Sequence, residues 1–235
     1  MNIEEYLDST YLKKASELNI TNEENKKKNI DLIFEAIKYN FKLVMIRPEF
    51  VKMAKEIILN NNSKVSIGTV IDFPLGSSST DHKIKEAISA IDNGADELDF
   101  VADYNLFKQK RFIKFDKDII EGTKLAYDHS VMIKWIIETG ALSNQEIISI
   151  TKRISSIVVD KFPDFFKNVF IKTSTGYYGG FGATIKDVKT IKRFSKLPVK
   201  ASGGVSNFSQ FIKMIEAGAE RIGTSNAVNI FLKND

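Results

Sequence analysis

The chain has 235 residues, 43% of them hydrophobic and 27% charged, with a formal charge of +4. Such a composition belongs to a globular protein able to hide roughly 70% of its unfolded surface. The absence of cysteine excludes disulfides, thiolate zinc sites and cysteine nucleophiles.

The start, MNIEEYLDST, is acidic where a secretory leader would be basic and then apolar. The longest apolar runs are broken by charge, as Lys134 breaks VMIKWII, so no membrane span is expected. The lysines are scattered, as in the run at 26–28, and form no basic helix, so no nucleic-acid partner is expected either. These features predict a soluble, cytoplasmic protein.

In chain order, a weak strand signal covers 6–10. Thr21 and Glu24 read as a capping box, and Ile30, Ile33, Phe34 and Ile37 predict one apolar helix face. Strands are predicted at 43–46 and 65–71. Ile84, Ala87, Ile88 and Ile91 repeat the helical spacing up to Gly94, which reads as the residue past a helix end. Further strands fall at 97–101, 131–137 and 169–172. Thr184 with Asp187 opens a helix carrying Val188, Ile191 and Phe194. After a strand at 199–201, Ser206 opens a helix carrying Phe208, Phe211, Ile212 and Ile215 before Gly218. The last strand is 221–223.

Eight strands alternating with helices, short turns and no linker predict one (β/α)8 barrel over 1–235, with a doubly wound sheet as the alternative. NGADELDF (93–100) echoes AGAERIGT (217–224), hinting at repeated units.

Lys172 in FIKTSTG and Lys200 in VKASGG each close an apolar run and precede small, glycine-bearing residues. A nucleophilic amine must be neutral, and only about 1 in 2500 free lysines is neutral at pH 7. Burial at a barrel mouth and a second ammonium both lower that pKa. Lys172 and Lys200 could do this for each other if their strands are adjacent. The alternative is that both contact phosphate or reach solvent.

Lys134 either points inward, paired with Asp99 or Glu138, or faces the helix layer. Glu97 and Asp99 share one strand face, opposite Leu98 and Phe100. Asp99 is thus a candidate for acid–base work or for an ion pair with a lysine, and Asp103 is a weaker one. The loops STG (174–176), SGG (202–204) and GTSN (223–226) follow strands and could cradle phosphate. GGFG (179–182) lacks the rest of a dinucleotide fingerprint. His82 and His129, the only histidines, fit no zinc or serine-triad pattern and read as surface residues. Trp135 reads as core.

LDSTYLK (7–13), VIDFPLG (70–76), ELDFV (97–101), IKWIIETGAL (133–142), FIKTSTG (170–176), VKASGGV (199–205) and ERIGTS (220–225) together resemble the deoxyribose-phosphate aldolase family over nearly the whole chain. KTSTG followed by KASGG is its most specific mark. The resemblance implies a (β/α)8 barrel that uses no metal or organic cofactor. It implies reversible cleavage of 2-deoxy-D-ribose 5-phosphate to acetaldehyde and D-glyceraldehyde 3-phosphate.

By motif, Lys172 would form the Schiff base, and Lys200 would lower its pKa and join in proton transfer. Asp99 would move protons with Lys200 and a water, and Lys134 would assist. Thr10, Thr175, Gly176, Gly203, Gly204, Gly223 and Ser225 would bind substrate, the glycines and Ser225 around the phosphate. The expected partners are small phosphorylated sugars and aldehydes, and a second copy in a homodimer.

Ser9, Met45, Asp72, Ser206, Asn226 and the stretch 177–181 depart from the usual family pattern. Met45 in place of a common cysteine predicts resistance to unsaturated aldehydes. Two other readings compete with this one: another Schiff-base aldolase or transaldolase, and a catalytically silent phosphosugar-binding barrel.

Overall fold

The computed structural model describes residues 1–233. Eight parallel strands close on themselves: β1 (Leu7–Thr10), β2 (Leu43–Ile46), β3 (Ser66–Ile71), β4 (Glu97–Val101), β5 (Met132–Ile136), β6 (Val169–Lys172), β7 (Val199–Ser202) and β8 (Arg221–Thr224). The closure is a β1–β8 pairing in which Asp8 stands opposite Gly223. The fold is the predicted (β/α)8 barrel, weak first strand included.

The helices are α1 (Ala15–Leu18), α2 (Asn22–Lys38), α3 (Val51–Asn60), α4 (Thr80–Asp92), α5 (Tyr104–Lys108), α6 (Phe112–Asp128), α7 (Asn144–Lys161), α8 (Ile185–Phe194), α9 (Phe208–Glu216) and α10 (Ala227–Leu232). No helix among the described residues is long and apolar enough to cross a membrane.

The capping signals are realised. Thr21 and Glu24 form a reciprocal capping box, as do Ser143 and Glu146, and the Thr184 side chain accepts from the Asp187 N–H. The cap of α9 is Asn207, one residue later than predicted, while Ser206 is held by the Gln210 side chain.

Two predicted helix faces are rotated. Phe34 and Ile88 are 47% and 38% exposed, whereas α2 buries Asn25, Asn29, Ile33 and Ala36, and α4 buries Lys83, Ala87 and Ala90. Polar partners make this tolerable. The Asn29 amide donates to the Asn25 carbonyl, and Lys83 Nζ lies 2.7 Å from Asp118 and donates to the carbonyls of Gly76 and Val101.

Alternation along the strands separates two interiors. Leu98, Phe100, Ile133, Trp135, Val169, Ile171 and Val199 point outward and form the main core with the helices. Inside the barrel, the β2–β3 side is apolar, with Leu43, Met45, Val70 and the loop residue Leu12. Gly68 makes this packing possible, because a Cβ there would sit 2.5 Å from the Met45 methyl group. The rest of the interior is ionic.

Candidate active site

β4 contributes Glu97 and Asp99, β5 Lys134, β6 Lys172, β7 Lys200, β8 Arg221 and β1 Asp8. All seven side chains are buried. Strand order brings them together: Asp99 is opposite Lys134, Lys172 opposite Lys200, and Lys200 opposite Arg221.

Asp99 is the hub. Its Oδ2 accepts from Lys172 Nζ at 2.7 Å and from Lys200 Nζ at 2.8 Å, and its Oδ1 lies 3.1 Å from Lys134 Nζ. Lys200 also pairs with Asp8 Oδ2 at 2.6 Å. Arg221 joins Asp8 to Glu97, with Nε 2.7 Å from Asp8 and Nη1 3.1 Å from Glu97. Lys134 closes the circuit on Glu97.

Four cationic groups (Lys134, Lys172, Lys200, Arg221) therefore face three carboxylates (Asp8, Glu97, Asp99). One positive charge is in excess, and Lys172 is the side chain best suited to lose it. Burial, aided by Lys200 and Lys134, lowers its pKa to about 8 against the pull of Asp99. Burial opposes the charge of Asp99 as well, but the three lysines around it win and hold the carboxyl well below the usual range. Lys134 is raised, since Asp99, Glu97 and Asp8 together outweigh its desolvation. One amine is thus made releasable inside a cluster that keeps its other charges.

Beside this network, at the carboxyl ends of the strands, a cavity of about 380 Å³ is lined by Thr10, Thr175, Gly203, Gly204, Gly223 and Ser225, among others. Gly203 and Gly204 have φ of +85° and +78°, left-handed backbone suited to glycine. A Cβ on Gly203 would lie 3.0 Å from the Gly182 Cα and 3.5 Å from the Gly176 Cα, so three loop backbones meet there.

Tyr177 bridges to the far side of the mouth. Its hydroxyl lies 3.0 Å from both the Leu12 carbonyl and the Glu17 carboxylate, and its ring meets Phe73 edge-on at 5.1 Å.

No family model matches the chain. The deoxyribose-phosphate aldolase of Thermococcus kodakarensis is 37% identical over 230 residues, covering 97% of this chain and 95% of the relative. Deoxyribose-phosphate aldolase 1 of Staphylococcus aureus is 42% identical over 233 residues, covering 98% and 96%. The chain belongs to the deoxyribose-phosphate aldolase family. The tetrameric deoxyribose phosphate aldolase of Aeropyrum pernix superposes with a TM-score of 0.79 at 26% identity, covering 98% of this chain and 89% of that one.

For this family member, the structure gathers Lys172, Lys200, Asp99 and Lys134 in one cluster. Thr10, Thr175, Gly203, Gly204, Gly223 and Ser225 all line the one cavity. Gly176 does not line it, and instead backs Gly203. Lys134 faces inward, and its partners are Glu97 and Asp99. The alternative partner, Glu138, instead turns to Thr175, because the chain reverses into left-handed backbone after β5. Asp103 caps α5 through the Leu106 N–H.

Three of the departures from the family pattern have a visible local setting. Asp72 takes a glycine-like φ of +53° and secures it by accepting from the Ser78 N–H and hydroxyl at 2.8 and 2.7 Å. Ser9 alternates with Asp8 and so faces away from the ionic interior. The 177–181 stretch packs over the turn after β5, where a Cβ on Gly140 would lie 2.6 Å from Phe181.

Sequence reasoning missed Asp8, Arg221 and Glu138 as site residues. The usable signal was their position: each is a charge within or next to a predicted strand, with an apolar neighbour on one side, Leu7, Ile222 or Ile137.

Proposed function

We propose that this protein is a 2-deoxy-D-ribose 5-phosphate aldolase, cleaving its substrate reversibly to D-glyceraldehyde 3-phosphate and acetaldehyde through a Schiff base on Lys172. The observation that carries the reading is the shared oxygen of Asp99, which holds Lys172 and Lys200 side by side while burial lowers the Lys172 pKa to about 8. Such an amine is neutral in about one molecule in ten at pH 7, roughly 200 times more often than a free lysine.

Neutral Lys172 adds to the C1 aldehyde, and loss of water leaves a protonated imine. That cation draws the electrons of the C2–C3 bond, so the bond breaks as the C3 hydroxyl gives up its proton. Asp99, with Lys200 and a water, passes protons, first taking the one from the C3 hydroxyl and then returning it to the enamine carbon. Such transfers contribute about 10²–10⁴ in rate. Lys134 keeps Asp99 ionised and oriented. The Gly203–Gly204 turn, with Gly223 and Ser225, receives the phosphate, as loops after the last two strands of such barrels often do.

The whole chain acts as one catalytic barrel domain in deoxyribose phosphate breakdown, assembled as a homodimer. Residues 1–235 leave no linker that would divide it.

The test is borohydride trapping with acetaldehyde followed by peptide mass spectrometry. An ethyl group on Lys172, absent in Lys172→Ala, is expected. A folded protein that yields no adduct would leave only phosphosugar binding. Turnover of fructose bisphosphate in place of deoxyribose phosphate would point to another Schiff-base aldolase.

A further inference from the structure

Glu138 stands just beyond β5. Seven non-glycine residues among those described have positive φ, and Glu138 (φ 56°, ψ 69°) is the only buried one. Five of the others, including Asn19, Asn40 and Asn62, are exposed, and Asp72 is half-buried. A buried glutamate in that conformation persists only where its surroundings over-determine it, and such positions cluster at functional sites.

The surroundings are the nucleophile's own strand. The Ile137 N–H donates to the Lys172 carbonyl at 3.0 Å and the Thr139 N–H to the Thr173 carbonyl at 2.9 Å, so Glu138 is bracketed against β6 at Lys172. Lys134, Ile136 and Glu138 alternate at spacing two, and Ile136 is paired with Lys172, which puts Glu138 one layer above the lysine at the barrel mouth.

One carboxylate oxygen, Oε2, accepts from the Thr175 hydroxyl and, at 3.2 Å, from the Thr175 N–H. The other, Oε1, is buried and has no hydrogen-bond partner among the described residues. A purely structural anchor for the KTSTG loop would need only the first oxygen. The second is the kind of unsatisfied buried group that calls for an explanation.

We propose that Glu138 is a catalytic acid–base residue of the Schiff-base steps, its Oε1 taking a proton through a water from the Lys172 ammonium and returning it to the hydroxyl that leaves as water. The inference rests on the Lys172 imine proposed above. The atoms balance. Ammonium and carboxylate become amine and carboxylic acid, and the amine adds to the aldehyde to give the carbinolamine. The acid then protonates the hydroxyl, water departs, and the protonated imine and the carboxylate remain. Hydrolysis of the product imine runs the same exchange backwards.

Asp99 is poorly suited to this task, because three lysines hold its carboxyl low. Glu138 is the opposite case: burial raises its pKa, against the Thr175 hydrogen bonds and Lys172. The two shifts bring the proton affinities of Glu138 and Lys172 toward each other. The titratable groups facing it are Lys172 on β6 and Tyr104 on α5, with Asp103 and Tyr178 beyond Tyr104.

The experiment is single-turnover imine formation with acetaldehyde, trapped by cyanoborohydride and quantified at Lys172 from pH 5 to 9. In Glu138→Gln, a near-isosteric change, the rate is expected to fall at least about 100-fold. The low-pH limb set by ionisation of the carboxyl should disappear, with Tm unchanged. A rate within about threefold of wild type, or an unchanged limb, would overturn the proposal.

If Glu138→Gln fails to fold, Thr175→Val decides. Losing a donor to the ionised carboxylate must move the low-pH limb upward, and a limb that stays in place overturns the assignment. Absence of an adduct in the wild-type protein would defeat the imine reading itself. A normal wild-type adduct with an unimpaired Glu138→Gln defeats only this one.

Discussion

Replacing Lys200 by methionine should disarm Lys172 in a way that pH can reverse. The two amines approach one oxygen of Asp99 at 2.7 and 2.8 Å, so their nitrogens lie within about 5.5 Å of each other. With an effective dielectric constant near 20, two unit charges about 5 Å apart repel by about 3 kcal/mol, or roughly two pKa units. Without Lys200, Asp99 also has one fewer cation to satisfy and draws the Lys172 ammonium more strongly. The Lys172 pKa should therefore rise from about 8 to about 10. The neutral fraction at pH 7.5 would fall from about a quarter to below one per cent.

The assay is the initial rate of acetaldehyde trapping on Lys172 against pH. Lys200→Met should be roughly 50- to 100-fold slower at pH 7.5 and should recover near pH 10. A rate-versus-pH midpoint that stays near 8 would refute the mutual lowering. A loss of the same size at every pH would mean that Lys200 serves imine formation by proton transfer or positioning and not through the pKa of Lys172.

Three further outcomes are expected. Lys172→Met removes the excess buried charge; a lysine whose folded pKa lies below its unfolded value destabilises the fold at pH below the folded pKa, an effect that disappears above the unfolded one, so the variant should gain roughly 3 kcal/mol at pH 7 and nothing near pH 11 in denaturant titrations. Gly203→Ala meets both a left-handed φ and the neighbouring Gly182 backbone; the KM for the phosphorylated sugar should rise at least about tenfold while trapping of phosphate-free acetaldehyde stays within about twofold, at a stability cost of about 1 kcal/mol or more. Because the chain has no cysteine and Met45 is buried in the apolar half of the barrel, activity should survive prolonged incubation with crotonaldehyde, and rapid covalent inactivation would contradict this.

Much of the barrel was legible because its strands are apolar runs with turn residues at their ends. The closeness of Lys172 and Lys200 was legible because each closes an apolar run, on strands that a barrel makes neighbours. What escaped the sequence depends on closure. Asp8 and Arg221 lie 213 positions apart and meet only because β1 pairs with β8. The helix faces were misjudged where the buried residue is polar and satisfied in three dimensions, as Lys83 is by Asp118; counting apolar residues at helical spacing cannot see such a pair. Glu138 was read as a possible partner of Lys134 because nothing in IIETG announces a left-handed turn at glutamate.

The unequal tally of charges inside the barrel bears on which step it favours. A protonated imine on Lys172 keeps the surplus positive charge, so forming it gives the interior no electrostatic relief. In the proposed reaction, breaking the C2–C3 bond turns that cation into an uncharged enamine, but the proton leaving the C3 hydroxyl stays in the relay, so the three remaining cations match Asp8, Glu97 and Asp99 one for one only once that proton has gone. Electrical rest inside the barrel thus follows that proton's departure, and its delivery to the enamine carbon restores the surplus charge on nitrogen.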